Sequence, residues 1–254
     1  KPYFEAVHEM DDDKDFYKTA LFITRSIPSE ETLRQRMDDI GDSLRQTILE
    51  QNVERLLANK IQLTALANGL VPVDIDVTPM DNSKSKKEGV SRTYKGFDGY
   101  APMMAYIDTE GYAINFELRE GKQHCQKGTV EFLQEIIRLY HAHGECEQFH
   151  SEVKTDMDLE RLPSGKFTTN ALILELGMIA YNILRMIGQG TIGGRAPRQK
   201  RDVKRRRLRT VSSLIMMASH VTMHARQLII GLGKSNVWRH IFSDICQKYA
   251  VTNA

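Results

Sequence analysis

Cysteine is scarce in this chain. Cys125, Cys146 and Cys246 are three in 254 residues, too few and too scattered for a disulfide framework or a zinc site built on C-x2-C spacing. That usage fits a reducing cytoplasm. Long apolar runs are missing as well. The longest, such as Leu172 to Ile179, is interrupted by Glu175 and falls short of the ~20 residues that a membrane span needs, so no membrane partner is expected. The start, K-P-Y-F-E-A-V-H-E-M, has neither an apolar leader core nor a Met, and the chain is expected to begin inside a longer protein. There is no large excess of charge of one sign either: 35 Lys and Arg stand against 33 Asp and Glu, a formal +2. The total therefore says little about partners, and the distribution of charge has to be read instead. The glycine-rich stretch Gly188 to Gly194, G-Q-G-T-I-G-G, has no preceding strand and no following Lys-Ser or Lys-Thr. That excludes a phosphate-binding P-loop and leaves a flexible linker.

What remains is an ordinary globular composition, 41% hydrophobic and 27% charged, in a chain long enough for one large domain or two small ones. Residues 1 to about 68 read as helical. Phe16, Ala20 and Ile23 share a face behind the acidic start Asp11 to Asp13. Ser29 reads as an N-cap followed by Glu30 and Glu31, with Leu33, Met37 and Ile40 as a buried stripe, and a third helix is expected from Ser43 to Ala67.

At Gly69 the period changes from 3.6 to 2. Val71, Val73, Ile75 and Val77 fall on one face of a strand, and Asp74, Asp76 and Thr78 on the other. Two carboxylates side by side repel each other unless a cation, a donor or water compensates. An exposed strand end is a cheap home for them, and a metal site is the functional alternative. A polar, basic loop, Asn82 to Lys95, follows. Two apolar runs, Tyr100 to Ile107 and Tyr112 to Leu118, then flank the turn D-T-E-G at Asp108 to Gly111, a strong hairpin signal. Thr129 begins a helix whose stripe, Val130, Phe132, Leu133, Ile136 and Ile137, runs toward Tyr140.

Tyr140 to Lys154, Y-H-A-H-G-E-C-E-Q-F-H-S-E-V-K, carries Glu147, His150 and Lys154 at i, i+3 and i+7. On a helix a carboxylate, an imidazole and an ammonium then share one face, which suits a metal and a phosphate together and equally suits a solvated amphipathic surface. A long apolar helix is expected from Asn170 to Ile187. Arg195 to Arg209 gathers nine Lys or Arg against Asp202 alone, an electrostatic footprint for a nucleic-acid backbone, with a solvated basic face as the plainer reading. Leu208 to Ile230 resumes helical spacing, and Trp238, Ile241, Phe242 and Ile245 mark a last amphipathic helix.

The spacing Tyr140-x2-His143-x3-Glu147-x6-Lys154 resembles the Y-x2-R-x3-E-x6-K signature of a large group of bacterial insertion-sequence transposases, with His143 where that family has Arg. D-I-D-V-T-P-M-D around Asp76 resembles the family's first catalytic block, and K-G-F-D-G-Y-A-P-M-M-A-Y-I with L-R-E-G-K-Q-H resembles its second and third strands and the turn after them. The resemblance implies an α/β, RNase H-like catalytic core, a mixed sheet flanked by helices, which cleaves and rejoins DNA strands at element ends. Three acids would hold two Mg2+ or Mn2+ ions that activate the attacking oxygen and stabilise the leaving one. Asp76, with Asp74 as second choice, and Glu147 are the acids and metal ligands it implies here. Lys154 would contact an end phosphate, and Tyr140 and His143 would position DNA or the helix. Arg119, Lys122 and His124 would lie near DNA, together with Lys200, Arg201, Lys204, Arg205, Arg206 and Arg207 of the basic run.

The chain departs from the family between Leu139 and Tyr140. The strands that would bring the middle Asp are missing, and Asp98, Asp108 and Asp156 are the candidates to replace it. The implied organisation is a helical region at 1–68, a catalytic core lacking its central strands at 69–190, and a basic, helical region at 191–254. The implied partners are transposon-end and target DNA and further copies of the chain, in a bacterial cytoplasm at the nucleoid. A DNA-binding remnant that interferes with intact transposase, and a metal-dependent nuclease on the same fold, are the alternatives.

Overall fold

The computed structural model of the chain describes residues 3–10, 12–20, 26–59, 61, 63–139, 147–192, 207–217, 219–224, 227–233 and 236–249. The chain divides into two compact units, Lys1–Asn182 and Ile183–Ala254, of mixed α/β build with three small antiparallel sheets among the described residues.

In the first unit a 3-10 turn, Phe4–Met10, precedes α1 (Lys14–Ala20) and α2 (Glu30–Ala58). Ser29 caps α2 as expected. Its hydroxyl accepts the Thr32 N–H at 3.2 Å, which satisfies one of the donors a helix start leaves open. The two helices expected from Ser29 and Ser43 are instead one helix of 29 residues that ends at Ala58 rather than Ala67. Gly41 does not break it. A Cβ there would lie 3.3 Å from Thr168 O, so the glycine permits a close crossing. The inward face of α2 is set by Gly41, Ile48, Asn52 and Leu56. Ile40 lies about 100° round the helix from Gly41 and is 42% exposed, against the expectation that it is buried.

The strands are β1 (Val73–Val77), β2 (Met80–Asp81), β3 (Ser91–Arg92), β4 (Asp98–Tyr100), β5 (Met103–Ile107) and β6 (Tyr112–Glu117). One sheet has the order β1-β5-β6, a smaller one β2-β4-β3. All five residues of β5 are buried, because it is the middle strand and both faces are covered. The turn Asp108–Gly111 joins β5 to β6 where the sequence predicts it, with Asp108 at φ 72° and Gly111 at φ 70°. Between Ala105 and Tyr106 the β5–β6 register shifts. There the N–H and C=O of Ala113 are taken up by two buried asparagines, Asn182 and Asn52.

Next come α3 (Thr129–Leu139), α4 (Glu147–Ser151), a π-helical segment (Glu152–Asp156) and α5 (Phe167–Gly190). At 24 residues α5 is long and apolar enough to cross a bilayer by length and composition, which corrects the reading of its apolar run as too short; 56% of its most apolar window is buried in the protein. Gly188 and Gly190 belong to this helix rather than to a linker. In the second unit α6 (Leu208–Ile215) is followed by the hairpin strands β7 (Ser219–His224) and β8 (Gln227–Leu232) and by α7 (Arg239–Tyr249). Helix was expected through Ile230. β-Branched Val221, Thr222, Ile229 and Ile230 favour the extended pairing found instead. Trp238, Ile241, Phe242 and Ile245 pack with Leu214, Ile187 and Met217 as the core of this unit.

Glu175 is a buried acid within α5, its Oε1 accepting from Arg45 Nε of α2 at 2.6 Å. Burial pushes its carboxyl up to about 7; Arg45 opposes the shift, and Glu135 and Glu117 add to it. A carboxyl whose folded-state pKa is raised contributes stability that is complete below its unfolded value and is lost as pH rises through about 7. Glu175→Gln keeps an acceptor for Arg45 and removes the titration. In urea denaturation its stability relative to wild type is therefore expected to rise between pH 5 and pH 8, by on the order of 2 kcal/mol. A difference that stays flat across that window would refute the assignment.

Candidate active site

The C-terminal end of β1 is where the first unit gathers its chemistry. Val73 and Val77 are buried and pin the strand to β5, which leaves Asp74 half-buried and the Asp76 side chain 58% exposed. Asp76 Oδ1 accepts the Val77 N–H at 2.7 Å. Its Oδ2 lies 3.9 Å from His150 Nε2 of α4. Tyr94 Oη donates to Val77 O at 3.3 Å, and Lys154 Nζ donates to Pro79 O at 2.7 Å and pairs with Glu160 Oε1 at 3.0 Å.

The α4 segment reaches this place through aromatic packing. Phe149 and His150 both lie against the Tyr106 ring, at centroid distances of 5.2 and 5.4 Å. Gly111 makes room for Phe149, since a Cβ there would stand 2.3 Å from the Phe149 ring. After Ser151 the helix widens to a π turn, closed by Met157 N–H on Glu152 O at 3.0 Å. That winding sets where Lys154 points.

Electrostatically the pocket favours a neutral imidazole. Burial pushes His150 down to about 4, with Asp76 opposing and Lys154 adding to the shift. Burial, then Asp76 and Cys125, raise the Tyr94 hydroxyl above its ordinary value. At neutral pH His150 and Tyr94 are thus uncharged neighbours of an exposed carboxylate, and Lys154 is the nearby cation.

Of the residues singled out in the sequence, the structure brings Asp76 and Lys154 to the two sides of the β1 end. Glu147 opens α4, one turn before His150. Tyr140, His143, Lys200, Arg201, Lys204, Arg205 and Arg206 lie outside the described residues, and Arg207 is an exposed residue at the start of α6. Arg119 does not face a DNA backbone. It is 2% exposed and donates to Glu117 and to the carbonyls of Cys125, Lys127 and Gly128. Lys122 is exposed and pairs with Glu120 at 3.2 Å, and exposed His124 accepts from Gln126 N–H.

The three substitute acids are engaged elsewhere. Asp98 pairs with Arg92 at 3.7 Å on β4. Asp156 is the last residue of the π-helical segment. Asp108 sits beside Pro72 at the opposite end of β1, roughly 13 Å from Asp76 at strand spacing. Tyr94 and Glu160 were not among the sequence candidates, because nothing in their local spacing marks them.

Magnesium or manganese takes oxygen ligands, several of them carboxylates. Among the described residues no group of three His, Cys, Asp or Glu could hold a metal ion, and Asp76 is the carboxylate exposed at the β1 end. This donor set does not meet the needs of a two-metal centre, so no cleavage step is assigned to it.

No curated protein matches the chain, and no solved structure does. Residues 134–253, which take in Glu147 and Lys154 and exclude Asp76, match the family described as Transposase DDE domain group 1.

Proposed function

We propose that this chain is an insertion-sequence DDE transposase domain, RNase H-like in build, that binds DNA without cutting it. One observation carries the reading. Asp76 stands on an outer strand, and only residues 140–146 separate α3 from α4. A strand alone takes about five or six residues, so that interval is too short for the strands that would flank β1 and bring the second catalytic Asp. The antiparallel order β1-β5-β6 supports an RNase H-like start to the sheet.

In this reading Asp76 and Glu147 are two of the family's three acids. In an intact family member Mg2+ or Mn2+ would supply charge stabilisation at the phosphate, a chemistry that is not assigned to this chain. The chain's own residues hold DNA: Lys154 at a phosphate beside β1, and the run from Lys200 to Arg207 along the backbone. Association with further copies or with intact transposase on DNA, at the nucleoid of a bacterial cytoplasm, makes it an inhibitor of transposition.

Purified chain and a fluorescent 30-base-pair duplex are expected to show affinity falling by about 10^3 or more between 50 and 200 mM salt, as six or more phosphate contacts require. A supercoiled plasmid carrying the parent element's ends should stay intact with Mg2+ or Mn2+. Efficient nicking that Glu147→Ala abolishes would overturn the non-cleaving assignment, and salt-independent binding would overturn DNA-backbone recognition.

A further inference from the structure

Immediately past the Asp76 site, the loop after β2 folds over a concavity of about 250 Å3 lined by Lys84, Lys87 and Arg161, with Ser83 and Asn82 between them and Asp81 at one side. Three cations face one carboxylate there. Asp81 Oδ1 accepts from the Ser83 N–H at 2.9 Å and the Ser83 hydroxyl at 2.7 Å, and these bonds, followed by the charges of Arg161 and Lys84, hold its carboxyl below the ordinary range. None of the three cations forms an ion pair within 4.0 Å among the described residues.

Lys87 is fixed rather than free. Its ammonium donates to Leu162 O and, at 3.5 Å, to Asn82 Oδ1, and it is only half-exposed. Burial and then the nearby Arg161 hold it below the ordinary lysine range. One carboxylate leaves the three cations with a net positive charge, and like charges held close together repel each other. The fold has therefore built a place where a bound anion relieves a cost, with a guanidinium for a forked contact and ammonium groups as point charges.

The same segments connect this concavity to the candidate active site. Asn82 Nδ2 donates to Glu160 O at 3.0 Å, and the Glu160 side chain holds Lys154, which is anchored on Pro79. Lys154 and Arg161 are thus successive cations along one strip of surface that starts at Asp76.

We propose that Lys84, Lys87 and Arg161 form a phosphate site that takes one backbone phosphodiester of DNA running past Asp76 and Lys154. This rests on the DNA-binding reading above and adds to it a defined seat outside the basic run at 195–209. A phosphodiester and free inorganic phosphate present the same oxygens, and the test separates them.

Duplex binding is measured by anisotropy for wild type, Lys84→Ala, Arg161→Ala and, as an equal loss of charge elsewhere, Arg36→Ala on the exposed side of α2. Lys84→Ala and Arg161→Ala are each expected to weaken binding about five- to tenfold and to lower the slope of log affinity against log salt by about 1. Arg36→Ala should leave both unchanged. Circular dichroism checks that each variant is folded, and Arg161→Lys, which keeps the charge, should recover most of the slope. Equal losses in all three alanine variants, or none in Lys84→Ala and Arg161→Ala while wild type binds, would overturn the site and leave the DNA-binding reading standing. If wild type binds no duplex, that reading fails. Calorimetry with inorganic phosphate then decides the pocket: binding lost in Arg161→Ala makes it a site for free phosphate and overturns the phosphodiester assignment, and no binding overturns the site altogether.

Discussion

Asn182→Ala is expected to lower the unfolding free energy by about 3 kcal/mol, because it leaves buried backbone and side-chain groups without partners. Asn182 Oδ1 accepts the Ala113 N–H at 2.7 Å, and its Nδ2 donates to Ala113 O at 2.6 Å and to Asn52 Oδ1 at 2.7 Å. Asn52 completes the arrangement by donating to Ala113 O at 2.9 Å. All three residues are at most 2% exposed. With alanine at 182 the Ala113 N–H and the Asn52 carbonyl lose their partners in a dry place, and a small cavity opens beside them. In thermal denaturation followed by circular dichroism this corresponds to a fall in Tm of roughly 6–12 °C for a chain of this size. Asn182→Asp preserves the volume but supplies no donor, so it should cost about as much. A loss below about 1 kcal/mol for both variants would mean that water replaces the amide, and the network would not be what fixes β6 against α2 and α5.

Arg119→Met is the second large effect, again about 3 kcal/mol, the scale at which removing one partner from a buried charged network destabilises. The guanidinium bonds Glu117 Oε1 at 2.6 Å, Lys127 O and Gly128 O at 3.1 Å and Cys125 O at 3.4 Å, and lies 5.7 Å from the centre of the Phe132 ring. It ties the end of β6 to the loop that enters α3. Lysine cannot span three carbonyls with one ammonium, so Arg119→Lys should recover less than half of the loss. The discriminating observation is the pairing of two measurements. A stability loss with unchanged DNA affinity per folded molecule supports the internal role, whereas weaker DNA binding at unchanged Tm would return Arg119 to the DNA-facing surface that its place in L-R-E-G-K suggests.

Arg119 also illustrates what can be read from sequence and what cannot. A cation between Leu118 and Glu120 in a polar turn reads as solvated, and its burial depends on carbonyls six to nine residues later folding back over it. The D-T-E-G hairpin, the Ser29 cap and the period-2 run ending at Val77 were legible because turn chemistry, capping and alternation are local. The unbroken α2 was not, since the sequence reads as separate helices from Ser29 and Ser43, and the close approach of Thr168 at Gly41 is not a local signal. Nor was the β7–β8 hairpin, whose residues also fit helical spacing. At the site, Asp76 and His150 were each visible as a carboxylate and an imidazole. Their approach to 3.9 Å depends on Tyr106, which is stacked between distant segments. Tyr94 and Glu160 arrive by loop closure and carry no local signal.

The π turn at Glu152–Asp156 has a mechanical consequence for that site. Upstream of it, Phe149 and His150 are locked to Tyr106; downstream, Lys154 is locked to Pro79 and Glu160. A straight α-helix would gear these two ends together, so that any rotation of one would carry the other. The π turn shifts the winding between them, so the two ends do not stand in the ordinary α-helical relation. The imidazole beside Asp76 and the ammonium beside Pro79 are each aimed by their own neighbours.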